Sequence, residues 1–145
     1  MHLKYIDNLV FDIYIRKNLI KDINFDNKEE IEKYLKNLFK ILSNKYKLNI
    51  EGFYDITIYK DKYYGIIIHF EKEELEYYDY YKNQVDMRLI IKDINFKYIV
   101  SDIPHNILNK VKIKNNNDNI YLIIKEELSK LEFMQLMEVS IISYN

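Results

Sequence analysis

Apolar and polar residues alternate along several stretches of this chain, and strict alternation is typical of a strand with one buried face. The first such stretch runs from Leu9 to Ile15. Two more, from Tyr54 to Ile58 and from Tyr64 to Phe70, flank the polar sequence at residues 60–62. The pattern therefore predicts a strand near residue 9 and a β-hairpin between residues 53 and 70.

Between residues 28 and 46 the apolar residues recur every three or four positions, which is the spacing of one helix face. Those on this face are Ile31, Tyr34, Leu35, Leu38, Leu42 and Tyr46. Asn27 is expected to be the N-cap, because its side chain can accept hydrogen bonds from amides of the first turn. Glu30 is expected to reach back to the cap amide. The spacing predicts a helix over residues 28–46 that covers one face of the hairpin, in a β-α-β-β unit over residues 9–70.

The second half of the chain is richer in strand patterns. Pro104 is expected to begin a short turn or helix, since it interrupts backbone hydrogen bonding. Residues 115–119, four asparagines and an aspartate, suit a hairpin tip because asparagine tolerates left-handed backbone angles. Residues 126–144 fit a helix, a strand or both, and we expect a helix followed by a strand. The other strands are expected near residues 85–92, 96–101, 111–113 and 120–125.

Together these elements predict the α+β class, with one main helix packed on a mostly antiparallel sheet of about six to eight strands. No linker, repeat or shift in composition divides the chain. We therefore expect a single α+β domain over residues 1–145.

Composition narrows the range of functions. The chain has no cysteine, which excludes disulfides, thiolate zinc sites and cysteine catalysis. Its formal charge of −1 gives no broad attraction to nucleic acid or anionic lipid. The N-terminus lacks a secretory pattern, and no apolar run is long enough to span a bilayer. We expect a cytoplasmic protein that binds neither nucleic acid nor membrane. The 25 isoleucines, 20 lysines and 16 asparagines indicate an AT-rich coding genome.

Catalytic and cofactor motifs are not found in the sequence. Two glycines cannot build a phosphate-binding loop or a dinucleotide fingerprint. The three histidines have no metal-site spacing, and no serine lies in a nucleophile turn. We therefore assign no catalytic residue, metal or cofactor. Two alternatives stay open: a small enzyme that uses His69 with Asp55 or another carboxylate for acid-base chemistry, and a structural subunit of a homo-oligomer.

The segment after the hairpin is acidic and crowded with tyrosine. Four tyrosines within five positions cannot all point into one core, so at least two should be partly exposed. Tyrosine is favoured at interfaces because it offers a large contact area with few rotatable bonds. Stacking on single-stranded nucleic acid needs positive charge beside the rings, and the neighbours here are acidic. Our leading hypothesis is a non-enzymatic module that binds another protein, as a regulator, an adaptor or an immunity-type inhibitor; the alternative is structural packing along the sheet edge. The candidate binding residues are Glu74, Glu76, Tyr77, Tyr78, Asp79, Tyr80 and Tyr81.

Residues Leu9 to Phe70 resemble the N-terminal domain of MecA-type adaptor proteins, which deliver substrates to a Clp unfoldase. The likeness consists of a strand, a helix, and Ile50-Glu51-Gly52 entering a hairpin. It covers less than half of the chain, and the second half does not follow those proteins. The resemblance adds support to the adaptor alternative among these protein-binding functions.

Overall fold

The helices and strands of the protein are taken from a computed structural model, which describes residues 1–7, 9–47, 52–73 and 85–144. Short 3-10 helices cover Lys17–Leu19 and His105–Lys110, the second directly after Pro104 as expected. The predicted α+β class is confirmed. In chain order the main elements are β1 (His2–Tyr5), β2 (Val10–Arg16), α1 (Lys28–Tyr46), β3 (Gly52–Asp61), β4 (Gly65–Lys72), β5 (Val85–Asp93), β6 (Lys97–Val100), β7 (Val111–Asn116), β8 (Asn119–Ile124), α2 (Lys130–Val139) and β9 (Ser140–Ser143).

Helix α1 has the predicted bounds and the predicted N-cap. The Asn27 side chain accepts a hydrogen bond from the Glu30 amide at 3.3 Å. The Glu30 carboxylate was expected to accept a hydrogen bond from the backbone amide of Asn27. Instead it accepts one from the amide of Asn24, at 3.3 Å. The chain turns back before the helix, and this brings the Asn24 amide within reach of the carboxylate. The helix ends at Tyr46, and Lys47 takes a left-handed conformation.

The strands form two sheets, whereas the sequence pattern led us to expect one. The first sheet has five strands in the order β1-β2-β4-β3-β5, and only the β3–β5 pair is parallel. The second has four antiparallel strands in the order β7-β8-β6-β9. Alternation reports that a strand has a buried face, but not which strand lies beside it. The tail follows the expected order, with α2 before β9.

Two apolar cores lie on opposite faces of the five-stranded sheet. Helix α1 covers one face, where alternate residues of β2, β3 and β4 are buried. The other face meets the four-stranded sheet and α2, and Ile67 is the fully buried β4 residue on this side. Burying each large apolar side chain contributes about 1.5–3 kcal/mol. Residues of the second core include Tyr98, Leu122, Phe133 and Leu136. Neither helix in the described part of the chain is both long and apolar enough to cross a membrane.

The buried side chain of Asp61 links the β3–β4 turn to the residue before β6 through hydrogen bonds. One carboxylate oxygen accepts from the amides of Tyr63 and Tyr64, at 2.9 and 2.8 Å. The other accepts from the amide of Phe96 at 2.9 Å. Three backbone donors thus depend on one side chain, which joins the hairpin of the first sheet to the second sheet.

We expect Asp61→Asn to lower the free energy of unfolding by about 2 kcal/mol, because an amide has only one accepting oxygen and leaves at least one buried N–H unpaired. Urea denaturation measures the change. The matched control is Asp93→Asn, since the Asp93 side chain is 84% exposed. Equal stability of the two variants would contradict this role for Asp61.

Candidate functional site

The register of the five-stranded sheet gathers charged residues on the face opposite α1. Asp12 of β2 lies directly opposite His69 of β4. Two residues along β4, Glu71 lies opposite Asp55 of β3, which in turn lies opposite Arg88 of β5. Because side chains alternate between the two faces of a strand, all five project to the same side. The sheet therefore carries two adjoining groups of ionisable side chains.

The first group, which we call the His69 cluster, consists of His69, Asp12, Glu71 and Tyr144. His69 Nδ1 lies 2.6 Å from Asp12 Oδ1, and Nε2 lies 3.0 Å from Glu71 Oε1. The Tyr144 hydroxyl donates to Asp12 Oδ2 at 2.7 Å. Asp12 is only 2% exposed, so these contacts satisfy a carboxylate that water hardly reaches.

The pKa of His69 is raised above its usual range. Burial lowers this pKa, but the hydrogen bonds and charges of Glu71 and Asp12 raise it by more. Each ring nitrogen faces a carboxylate oxygen, an arrangement that fits the doubly protonated imidazolium. A histidine with both nitrogens engaged in this way has no free nitrogen with which to accept a proton from a substrate.

Tyr144 brings the second sheet into the His69 cluster, because it directly follows β9. Its ring stacks on Tyr59 of β3, with the centroids 4.4 Å apart. Burial and the hydrogen bond to Asp12 raise the pKa of the Tyr144 hydroxyl well above its usual range, which keeps it a donor. The sequence analysis missed Tyr144. One feature of the sequence could have indicated it: Tyr144 lies two positions after Ile142, so the two side chains point to the same side of the chain, where Ile142 packs against the second core.

The second group, which we call the Arg88 cluster, consists of Arg88, Asp55 and Glu73. The Arg88 guanidinium makes two parallel bonds to the Asp55 carboxylate, at 2.6 and 3.0 Å. It also donates to Glu73 at 2.9 Å. Its hydrogen bonds hold the pKa of Asp55 below its usual range. The Arg88 side chain is 63% exposed, so the pairing orients these groups more than it stabilises the fold.

The enzyme hypothesis called for a concave pocket that brings His69 beside a carboxylate. The structure pairs His69 with Asp12 and Glu71, while Asp55 is bound by Arg88. Among the described residues, His69 does not line the cavities of about 850, 440, 400 or 200 Å³. Across residues 1–7, 9–47, 52–73 and 85–144, no group of three or more histidine and carboxylate side chains is arranged to hold a metal ion. The cluster has the geometry of a structural link between the sheets.

The binding residues predicted from the sequence lie outside the described residues. The segment is bounded by Glu73, a member of the Arg88 cluster, and by Val85, the first residue of β5. The Glu73 amide donates to the carbonyl oxygen of Phe53 at 2.9 Å, which fixes the position where β4 leads into the segment. The predicted residues concerned are Glu74, Glu76, Tyr77, Tyr78, Asp79, Tyr80 and Tyr81.

The fold defines an α+β protein in which one helix and a four-stranded sheet cover opposite faces of a five-stranded sheet. No protein-family model matches the chain, and neither the curated proteins nor the solved structures contain a significant match. The likeness to MecA-type adaptors therefore stays an expectation drawn from the sequence.

Proposed function

We propose that this chain is a non-enzymatic, cytoplasmic protein-binding module that uses the acidic, tyrosine-rich segment at residues 74–81. A regulator, an adaptor or an immunity-type inhibitor fits this description. The observation that carries the proposal is the Arg88 cluster, which places Glu73 and Asp55 on the sheet face that leads into the segment. Glu71, two residues earlier on β4, adds a carboxylate whose side chain is 58% exposed. Arg88 and His69 neutralise part of this charge, but each cluster holds two carboxylates and one cation, so the face keeps a net negative charge of the same sign as the segment.

The chemistry of the partner follows from this composition. Exposed tyrosine rings supply contact area that loses little conformational entropy on binding, and they are enriched among residues that dominate binding energy. The surrounding carboxylates favour a partner whose surface is basic, since complementary charge speeds association and suppresses wrong partners. We therefore expect a protein with a lysine- or arginine-rich surface that also offers apolar contact to the rings.

We expect the double variant Tyr78→Ala with Tyr81→Ala to lose the partner, with at least a roughly 30-fold rise in Kd, because truncating even one aromatic anchor costs about 2 kcal/mol or more. A proteomic pull-down identifies the partner, and calorimetry with the purified pair measures the change in Kd. The matched control is Tyr5→Ala with Tyr46→Ala, which removes two exposed tyrosines from β1 and α1.

The charge contribution is tested separately with Glu74→Gln and Glu76→Gln. These substitutions are expected to slow association and to weaken its dependence on salt, with little change in the dissociation rate.

Recovery of the same partners by the tyrosine double variant, at unchanged affinity, would contradict the proposal. A solution mass that corresponds to several copies of the chain, with no other protein retained, would favour the homo-oligomer hypothesis.

A further inference from the structure

The chain has two arginines, and they differ in whether a carboxylate balances their charge. Arg88 is paired with the carboxylates of Asp55 and Glu73. The side chain of Arg16, at the end of β2, has neither a hydrogen bond nor an ion pair with any described residue, and its Nε is buried without a partner. A guanidinium that is partly removed from water normally binds a carboxylate or phosphate, since it carries five donors in a planar fork.

Arg16 lies against aromatic rings, which replace only part of the interaction with water that its guanidinium loses on burial. Its guanidinium carbon is 3.8 Å from the centroid of the Phe133 ring and 5.5 Å from that of Tyr64. Such contacts attract the cation to the face of each ring but accept none of the N–H groups in the plane of the guanidinium. Burial raises the pKa of Tyr64 to about 12, so its hydroxyl is neutral near pH 7 and supplies no counter-charge.

The guanidinium borders a cavity of about 440 Å³ between the end of β2, the β3–β4 turn and the start of α2. This volume lies within the range of about 300–1,000 Å³ found for small-molecule sites. Phe133, Leu128 and Met134 form its apolar wall. The Tyr63 hydroxyl, also at the cavity, already donates to the carbonyl oxygen of Lys125 at 2.9 Å.

The charges around the cavity do not balance. Lys17 and Glu127 both line it and form an ion pair with each other. Arg16 and Lys130 then remain, and neither has an acidic partner among the residues that the structure describes. Two positive charges match a phosphate monoester, which carries roughly −1.5 to −2 near pH 7, better than they match a single carboxylate.

We propose that this cavity, which we call the Arg16 cavity, binds a small molecule that carries a phosphate monoester. The phosphate accepts hydrogen bonds from the Arg16 guanidinium and is attracted by Lys130, while the organic part of the ligand packs on the apolar wall. Bidentate recognition of phosphate by a guanidinium supplies the specificity. This site is independent of the acidic segment: it adjoins the β3–β4 turn, whereas the segment follows the other end of β4.

Phenyl phosphate is a suitable probe, because it joins the phosphate to a small apolar body. Titration of the ¹⁵N-labelled protein, followed by NMR, is expected to give saturable shifts at residues of the Arg16 cavity. Phenyl phosphate should bind more tightly than inorganic phosphate, which lacks the apolar part, and more tightly than benzoate, which carries a single charge. Phenol, which is neutral, should give no saturable shifts there.

The two arginines provide matched variants for this experiment. Arg16→Lys keeps the charge but loses the planar fork, and we expect about a tenfold rise in the Kd for phenyl phosphate, which corresponds to about 1.4 kcal/mol. Arg88→Lys makes the same change where carboxylates already occupy the guanidinium, and should leave the Kd unchanged. Lys130→Gln alters only an exposed residue and should raise the Kd severalfold. The double variant Tyr78→Ala with Tyr81→Ala should bind phenyl phosphate normally, which separates this site from the proposed protein interface.

Three results would overturn the assignment. The first is an absence of saturable shifts with the unmodified protein at millimolar phenyl phosphate. The second is equal binding of phenyl phosphate and phenol, which would show that the apolar wall alone binds the ring. The third is unchanged affinity in both Arg16→Lys and Lys130→Gln, with spectra that show an intact fold. Any of these would leave Arg16 with a packing role against Phe133.

Discussion

Replacing Asp12 by alanine is expected to lower the free energy of unfolding by roughly 3–5 kcal/mol, because it leaves a buried ion pair with one partner. The carboxylate is 2% exposed and lies between His69 Nδ1 and the Tyr144 hydroxyl. Without it, the His69 imidazolium retains Glu71 as its one carboxylate partner, with the Tyr144 hydroxyl 3.2 Å from Nδ1, and Tyr144 loses the carboxylate to which it donates. Denaturation by urea near pH 6, where an unperturbed histidine is largely charged, measures the loss.

The His69 cluster also gives stability a pH dependence of definite sign. The raised pKa of His69 means that the folded protein holds this proton more tightly than the unfolded chain does. Its contribution is therefore complete below the unfolded value of about 6.5 and is lost as the pH rises through the folded pKa. The difference in unfolding free energy between the unmodified protein and His69→Gln should accordingly shrink as the pH is raised from about 6 to about 9.

A suitable control is Asp22→Ala, which removes an exposed aspartate and should change stability by less than about 0.5 kcal/mol. A loss below about 1 kcal/mol in Asp12→Ala would contradict the buried ion pair. The same conclusion would follow if the effect of His69→Gln were constant across the pH range, since the cluster would then not bind the proton more tightly in the folded protein.

Local features of this fold could be predicted from the sequence, because local physics decides them. The spacing of Ile31, Leu35, Leu38 and Leu42 sets the buried face of α1, and Asn27 caps the helix through an amide three residues away. The asparagine-rich tip behaves similarly: Asn117 and Asp118 take the left-handed conformation expected of that segment. In each case the residues that determine the structure are neighbours in the chain.

The His69 cluster could not be predicted, because its members are brought together by strand register. Asp12 and His69 are 57 positions apart, and Tyr144 is 132 positions from Asp12. In the sequence, Asp12 is a polar position within the alternating stretch from Leu9 to Ile15, and such positions usually face solvent. Its burial results from the second sheet, whose separation from the first is not encoded in the alternation of any single strand. The same reasoning applies to Arg16, whose cavity depends on α2 packing beside the end of β2.

Gly65→Ala is expected to destabilise the protein by roughly 3–5 kcal/mol, since it combines a backbone conformation reserved for glycine with a collision against backbone atoms. Gly65 has a φ of 130°, a region that L side chains rarely adopt. A Cβ at this position would lie 2.4 Å from the Ile15 carbonyl oxygen and 2.5 Å from the Lys17 amide nitrogen. The amide of Lys17 donates to the Tyr64 carbonyl oxygen at 2.8 Å, so β2 is held against the turn and cannot move aside cheaply.

The effect of Gly65→Ala should extend to ligand binding, because the residues that the new methyl group displaces include Arg16. A variant that still folds at low temperature should therefore show weaker phenyl phosphate binding together with its lower urea midpoint. Lys62→Ala, an exposed substitution in the same turn, controls for general loosening and should stay within about 0.5 kcal/mol of the unmodified protein. If Gly65→Ala were as stable as Lys62→Ala, the close approach of β2 to the turn would be disproved, and with it the position assigned to the Arg16 guanidinium.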